Sequence, residues 1–153
     1  MPQNENQSEN TIVPECPNDF VRIFVYGSLR KGHYNHSRCL NNDAKFIGNA
    51  SLKGFGLFSL GYFPAIADMD RPDIAVMGEI YDVPEYAYKR IDGMEIGAGY
   101  DRQQGEVRLL TGEIVNATYW DMPWEKLVKY YQAPLVQDGD WTRHEKEKGK
   151  LEV

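Results

Sequence analysis

Two parts of the sequence combine residue types and spacing that could do chemistry. The first is the loop from Gly27 to Gly32, which follows an apolar stretch at residues 21–26 and carries Arg30 and Lys31. Glycine lets a ligand approach the backbone closely, and successive N–H groups after a strand can converge on an anion. An ordinary turn is the alternative interpretation, because most glycine-containing loops only reverse the chain.

The second is Glu95, which stands at the C-terminal end of a predicted helix, just before Gly97 and Gly99. The negative end of the helix dipole disfavours a carboxylate there and is expected to raise its pKa. A carboxyl group with a pKa near neutrality can both accept and donate a proton. A solvent-exposed glutamate is the alternative. Asp92, one turn earlier, is either a second carboxylate of the same site or a polar helix residue.

Other common catalytic motifs are absent from the sequence. Ser28 follows a glycine after a strand but lacks the Gly-x-Ser-x-Gly frame of a nucleophile elbow. The loop matches neither the phosphate-binding Gly-Lys-Ser/Thr pattern nor the dinucleotide fingerprint Gly-x-Gly-x-x-Gly. His33 and His36 could share one helix face, but no third ligand of suitable spacing accompanies them. We therefore expect no metal site.

Composition predicts a globular chain with one domain. It has 153 residues, 42% of them hydrophobic, and a net charge of −6, which fits a single core. The negative charge argues against a nucleic-acid partner and against an anionic membrane surface. No apolar run approaches the ~20 residues that span a bilayer, and residues 1–10 lack the apolar segment of a secretory signal. We therefore expect a cytoplasmic protein in which Cys16 and Cys39 are reduced.

Strands dominate the predicted secondary structure, and a few short helices connect them. Helices are predicted at residues 34–42, 84–95 and 123–131, the second beginning with a proline and ending before glycines. An apolar run at 62–67, whose proline argues for an edge or irregular stretch, and a charged loop at 68–73 interrupt the strands. This order favours an α+β fold with a curved or barrel-like sheet over a doubly wound one. The extended segments are predicted at residues 21–26, 44–60, 75–83, 100–110 and 113–121.

Five short motifs, taken together, resemble the γ-glutamylcyclotransferase-like family (AIG2-like or YtfP-like proteins). Their order and spacing from residue 20 to residue 142 carry the resemblance. In the family the glutamate of the fourth motif is often followed directly by glycine, whereas Ile96 intervenes in this chain. The motifs are Val25-Tyr26-Gly27-Ser28-Leu29-Arg30-Lys31-Gly32, Phe63-Pro64-Ala65-Ile66, Gly78-Glu79-Ile80-Tyr81-Asp82-Val83, Ile91-Asp92-Gly93-Met94-Glu95 with Tyr100-Asp101-Arg102, and Gly139-Asp140-Trp141.

The resemblance implies a small mixed β-barrel flanked by a few helices, with a cavity at the end of the first strand. The implied reaction cyclises a small-molecule γ-glutamyl amine to 5-oxoproline and releases the amine, without metal or cofactor. By match to the family, the site residues are Glu95 as general acid and base, Tyr26, Gly27, Ser28 and Leu29 as the loop that binds the substrate α-carboxylate through backbone N–H groups, and Tyr100 in the cavity wall.

The predicted domain covers residues 20–142. Residues 1–19, rich in Asn, Gln, Glu and Pro, predict a disordered N-terminal lead. Residues 143–153 form a charged C-terminal tail, and Gly139 and Trp141 just before it predict a turn and an anchor.

Two other functions stay open on the sequence. The same fold could serve as a non-catalytic binding module for a carboxylate-bearing small molecule, which an exposed Glu95 far from Ser28 would favour. An interaction domain that displays its aromatic residues is a weaker alternative, because 12% aromatic residues fit inside a barrel core. The sequence specifies neither the amine that is released nor the oligomeric state.

Overall fold

A closed barrel of five strands, with a short sixth strand at its edge, forms the body of the computed structural model. The structure describes residues 13–33, 36–40 and 43–152. The strands are β1 (Phe20–Val25), β2 (Lys45–Ser59), β3 (Pro64–Pro84), β4 (Asp101–Leu109), β5 (Ile114–Asp121) and β6 (Leu135–Val136).

Four helices flank the described part of the barrel. The longest begins directly after β3, where Pro84 precedes the first helical residue and the proline's missing N–H costs no hydrogen bond. None of the described helices is both long and apolar enough to cross a membrane. The helices are α1 (His36–Cys39), α2 (Glu85–Gly97), α3 (Lys126–Tyr130), which is a single π-helical turn, and α4 (Trp141–Glu152).

β1 closes the barrel because it pairs on both of its sides. It runs antiparallel to β3 over its whole length and parallel to β5, where Ile23 lies opposite Thr118. The other neighbours β5–β4, β4–β2 and β2–β3 are all antiparallel. β6 adds to the far end of β2. The mixed barrel with few helices confirms the predicted α+β class.

Alternate residues of β1 enter two different apolar clusters, as the period of two in a strand requires. Ile23 packs with Ile91 of α2 and with Leu127 of α3. Phe24 packs in the second cluster, among the other strands and Trp141. Trp141 is only 1% exposed, so it holds the start of the charged α4 against the barrel. This confirms its predicted role as an anchor.

The loop predicted at 68–73 was wrong, because the strand β3 runs through it. Of the two alternatives for residues 62–67, an edge or an irregular stretch, the edge agrees with residues 64–67, which begin β3 and pair with β2 but not with β1. β3 continues through both segments because its backbone pairs with β2 at residues 64–68, at Arg71 and again from Ala75 onwards. Pro64 is its first residue, a position where proline is tolerated in a strand. A register shift at Gly54 and a positive φ of 53° at Asp70 absorb the extra residues, so the charged side chains remain in solvent.

The other predicted strands and the helix at 84–95 are confirmed to within a few residues. Of the helix predicted at 34–42 the structure describes α1, and residues 34–35 and 41–42 lie outside the described part. Most of the predicted lead, residues 1–12, also lies outside it. Just after these residues, the Pro14 carbonyl accepts a hydrogen bond from Arg22. The boundary predicted after residue 142 falls within α4, and the division into lead, domain and tail stays a prediction.

At Gly78, β3 passes β1 too closely for any side chain. A Cβ there would lie 2.3 Å from the Val25 carbonyl oxygen and 2.7 Å from the Phe24 ring. We expect Gly78→Ala to lower the free energy of unfolding by about 2–3 kcal/mol, because overpacking forces the paired strands apart. Denaturant unfolding measures this change.

The matched control is Gly93→Ala on the exposed face of α2, where an added Cβ meets no atom within 4 Å. This substitution should raise the free energy of unfolding by about 0.5–1 kcal/mol, since alanine is the better helix former. Similar effects of the two substitutions would contradict the close approach at Gly78.

Candidate active site

A cavity lies at the end of β1, between the loop that follows this strand and the C-terminal end of α2. It contains about 380 Å³ of empty space, including its open side. The loop and the helix end are some seventy residues apart in sequence, and the barrel brings them together. All the predicted site residues line this one cavity: Glu95, Tyr26, Gly27, Ser28, Leu29 and Tyr100.

Glu95 stands on the last turn of α2 and is half-buried. The backbone around it is well anchored, because its own carbonyl oxygen accepts hydrogen bonds from the N–H groups of Ala98 (3.1 Å) and Tyr100 (3.0 Å). The helix therefore ends cleanly after Gly97, although Ile96 stands where the family often has glycine.

Burial raises the pKa of the Glu95 carboxyl from its usual 4.5 to about 7. The direction agrees with the prediction, and the cause is loss of solvent on burial. The last carbonyl groups of α2 accept N–H groups from residues 98–100. Among the described residues no side chain donates a hydrogen bond to this carboxyl or pairs with it. It can therefore take up or release a proton near neutral pH.

A buried carboxylate holds the loop from the side away from the cavity. Glu79 is 6% exposed and accepts hydrogen bonds from the Lys31 backbone N–H at 2.9 Å and from the Arg30 guanidinium at 3.1 Å. Arg30 also reaches Asp140 at 3.0 Å. The positive charge noted in the sequence is thus used to hold the loop, and Arg30 does not line the cavity.

The loop is constrained on two further sides. His36 Nδ1 lies 2.9 Å from the Leu29 carbonyl oxygen, to which it donates. A Cβ on Gly27 would lie 2.8 Å from Pro64 Cγ, so this position needs glycine. Among the described residues, the backbone N–H groups of Gly27 and Leu29 donate to no protein acceptor. They are available to an anion in the cavity.

Two buried tyrosines shape the cavity wall. The Tyr26 hydroxyl donates to the Trp120 carbonyl at 2.7 Å, and the Tyr100 hydroxyl donates to the Pro64 carbonyl at 2.6 Å. Burial raises the pKa of both tyrosines well above 10, so both remain neutral. Their hydroxyl protons are already engaged, and the two rings contribute shape rather than acid chemistry.

Asp92 does not belong to the cavity. Its carboxylate accepts hydrogen bonds from Trp120 Nε1 at 2.9 Å and from Arg102 at 2.8 Å. Of the two interpretations that the sequence left open, the structure supports a polar helix residue that ties α2 to the barrel.

His33 lies beside Thr142, with its Nε2 2.8 Å from the threonine hydroxyl. In the described ranges no three His, Cys, Asp or Glu side chains are grouped to hold a metal ion.

Five residues outside β1 and outside the predicted set also build this site. Glu79 could have been found as one of two carboxylates in an apolar strand, the other being Asp82, and Trp120 as an aromatic residue near the end of another strand. No local pattern assigns His36 to the loop, since that contact depends on α1 packing beside it. The five are Phe63, Pro64 and Trp120, which line the cavity, and His36 and Glu79, which hold the loop.

Comparisons with known proteins give a consistent result. The family described as gamma-glutamyl cyclotransferase, AIG2-like matches residues 23–143. Protein MJ1514 of Methanocaldococcus jannaschii, provisionally named a gamma-glutamylcyclotransferase, is 38% identical over 120 residues, which cover 78% of this chain and 93% of the relative. The gamma-glutamylcyclotransferase family protein YtfP of Escherichia coli is 30% identical over 132 residues, covering 82% and 100%. The crystal structure of PH0828 from Pyrococcus horikoshii has a TM-score of 0.63 and 28% identity, over 85% of this chain and 97% of that one.

The fold and cavity define a class of protein, namely small mixed barrels in which a buried carboxyl group and a glycine loop share one cavity. The family match covers most of the chain and includes both of these features. The chain belongs to the gamma-glutamyl cyclotransferase, AIG2-like family, which confirms the resemblance found in the sequence.

Removal of the Glu79 carboxylate should loosen the loop. In Glu79→Ala the Lys31 N–H and the Arg30 Nε–H lose their acceptor, while Arg30 keeps Asp140, and each partly buried donor left without an acceptor costs about 1–3 kcal/mol. We expect the free energy of unfolding to fall by about 3 kcal/mol in denaturant titrations. Glu106→Ala, at an exposed position of β4, is the control and should change it by less than about 0.5 kcal/mol. Equal losses would contradict the role of Glu79.

The pKa of Glu95 can be measured directly. In a protein labelled with ¹³C at glutamate carboxyl carbons, the Glu95 signal should titrate with a midpoint of about 7, because burial disfavours the charged form. Glu95→Gln assigns the signal by removing it. Surface glutamates, with midpoints of about 4.3, are the internal control. A Glu95 midpoint near that value would show that the carboxyl is solvated.

The raised pKa of Glu95 also predicts how the free energy of unfolding changes with pH. The folded-state pKa of about 7 lies above the usual 4.5, so between these pH values the folded chain keeps a proton that the unfolded chain releases. The free energy of unfolding of the wild type should therefore fall, relative to Glu95→Gln, as the pH rises through this window. A constant difference between the two proteins would argue against the shift.

Proposed function

We propose that the protein converts γ-glutamyl amines to 5-oxoproline and the free amine. One observation supports this most strongly: a carboxyl group with a pKa of about 7 shares a small cavity with the backbone N–H groups of a glycine loop. The family membership and the names of the relatives agree with the proposal. The carboxyl group suits proton transfer, and the backbone N–H groups suit the binding of a substrate carboxylate.

In the proposed reaction the substrate's α-carboxylate binds to the N–H groups of Gly27 and Leu29. Glu95, in its ionised form, accepts a proton from the α-ammonium group. The free α-amine then attacks the γ-carbonyl carbon, and a new carbon–nitrogen bond closes a five-membered ring. As the original amide bond breaks, Glu95 gives this proton to the departing nitrogen. The ring nitrogen still carries one proton more than 5-oxoproline, and Glu95 passes this second proton to the released amine, which leaves as an ammonium ion. Every atom of the two products comes from the substrate, so no co-reactant is required.

The shape of the cavity favours this ring closure. Nucleophile and electrophile belong to one molecule, so the protein has only to hold the substrate in a folded conformation. The neutral rings of Tyr26 and Tyr100 restrict the space beside Glu95. A compact cavity of this kind favours the bent substrate over the extended one.

Release of 5-oxoproline from a panel of γ-glutamyl amides tests the proposal. Wild type should release it, and the isosteric Glu95→Gln should lose about 10²–10⁴-fold in kcat, the usual contribution of a general acid and base. Glu85→Gln is the matched control, because it makes the same chemical change at an exposed position on the first turn of α2. It should retain full activity.

Two outcomes would overturn the proposal. Equal loss in both glutamine variants would mean that Glu95 has no special role. Absence of turnover with every amide, together with saturable binding of 5-oxoproline or of an amide at the cavity, would favour the binding module instead.

A further inference from the structure

We propose that a second, apolar cleft binds the substituent on the departing nitrogen, and that this substituent is an uncharged alkyl or aryl group. The inference rests on the proposed function, since it assigns the amine half of the same substrate. It concerns the part of the substrate that the family name leaves open.

The direction in which the amine departs follows from the role of Glu95. The departing nitrogen must lie within hydrogen-bond distance of this carboxyl to receive its proton, so its substituent extends on the Glu95 side of the cavity. A cleft begins there. It shares Phe63 with the cavity, and Ala98, three residues after Glu95, lines it. It contains about 580 Å³ of empty space, including its open side.

Seven of the nine residues that line this cleft are aliphatic or aromatic, and the other two are Ser59 and Gln132. Phe63 and Tyr131 are 45% and 43% exposed, so large parts of both aromatic side chains are accessible beside the cavity. Apolar surface that stays open to water in this way gains free energy when an apolar group covers it. The aliphatic part of the lining consists of Leu60, Ala98, Met122, Ala133 and Pro134.

The charges around the cleft disfavour a cationic amine. None of the described residues that line it is acidic. Lys126 lies at its edge, donates to the Gly99 carbonyl at 3.1 Å and stands 6.0 Å from the centre of the Tyr131 ring. The ring face that could attract a substrate ammonium group therefore already has a cation beside it.

Two uncommon backbone conformations, one on each side of Tyr131, fix the position of this residue. Its N–H donates to the Lys126 carbonyl at 3.0 Å, which makes the π-helical turn of α3. The next residue, Gln132, has a positive φ of 52°. Both features are uncommon for ordinary residues and recur where a side chain must be aimed at a functional site.

Another cleft, which borders the cavity at the loop after β1, differs in character. It shares Ser28 with the cavity and borders the loop that we assign to the substrate α-carboxylate. Its lining is largely polar and charged, and includes Lys31, His33, Glu145 and Lys146. The carboxylate half of the substrate fits this side, which leaves the apolar cleft for the amine half.

Three γ-glutamyl amides of defined amines test the inference: the methylamide, the n-hexylamide and the 5-aminopentylamide. The last two have the same length and differ in a terminal methyl or ammonium group. We expect kcat/KM for the hexylamide to exceed that of each of the other two at least tenfold, because each buried methylene is worth about a fourfold gain. Tyr131→Ala should remove most of this preference and leave the methylamide unchanged, whereas Tyr131→Phe should retain it. Leu110→Ala, at an exposed apolar residue that lines neither the cavity nor either cleft, should change neither.

The outcomes separate the two proposals. Turnover of the methylamide with equal kcat/KM for the two long amides, or a hexyl preference that survives Tyr131→Ala, would overturn the apolar subsite and leave the proposed function intact. Absence of turnover with all three amides would overturn both.

Discussion

The pairing of β1 with a strand on each side is the constraint on which the site depends. β3 runs antiparallel to β1 and ends beside its first residue, Phe20. The helix α2 then returns along the barrel for 13 residues, about 20 Å, which matches the ~20 Å rise of the six-residue β1. The end of the helix, with Glu95, therefore arrives at the level of Gly27. Strand and helix lengths together set the distance between the carboxyl group and the loop.

Two ion pairs of Arg30 link the loop after β1 to the C-terminal part of the chain. Arg30 joins Glu79 of β3 to Asp140, immediately before α4. Gly139 approaches β3 so closely that its carbonyl accepts the Met77 N–H at 2.8 Å. The loop beside the cavity is thus held by both the barrel and the C-terminal turn. Charged pairs of this kind contribute more to the position of a loop than to overall stability.

Among the described residues, the Glu95 carboxyl has no charged partner, unlike the carboxylates of Glu79 and Asp140. The Glu95 carboxyl is half-buried, yet within the described part of the chain no cation or hydrogen-bond donor compensates for the lost water. A carboxyl group buried for packing alone would normally be paired, as Asp82 is with Arg22 at 2.7 Å. An uncompensated group is retained at a cost to stability when its proton is needed. The contrast between these two acids distinguishes the proposed catalytic group from the structural one.

The sequence by itself determined the local elements and the candidate groups. Apolar runs located the strands, Pro84 and the later glycines bounded the helix, and the position of Glu95 near its end marked it for acid–base chemistry. Only the tertiary structure decided that residues 64–73 belong to a long strand, that burial raises the pKa of Glu95, and that the residues around the cavity meet. The physical reason is that periodicity and turn residues act over a few positions. Strand pairing and loss of solvent depend on residues far apart in the chain, and these are in place only when the barrel closes.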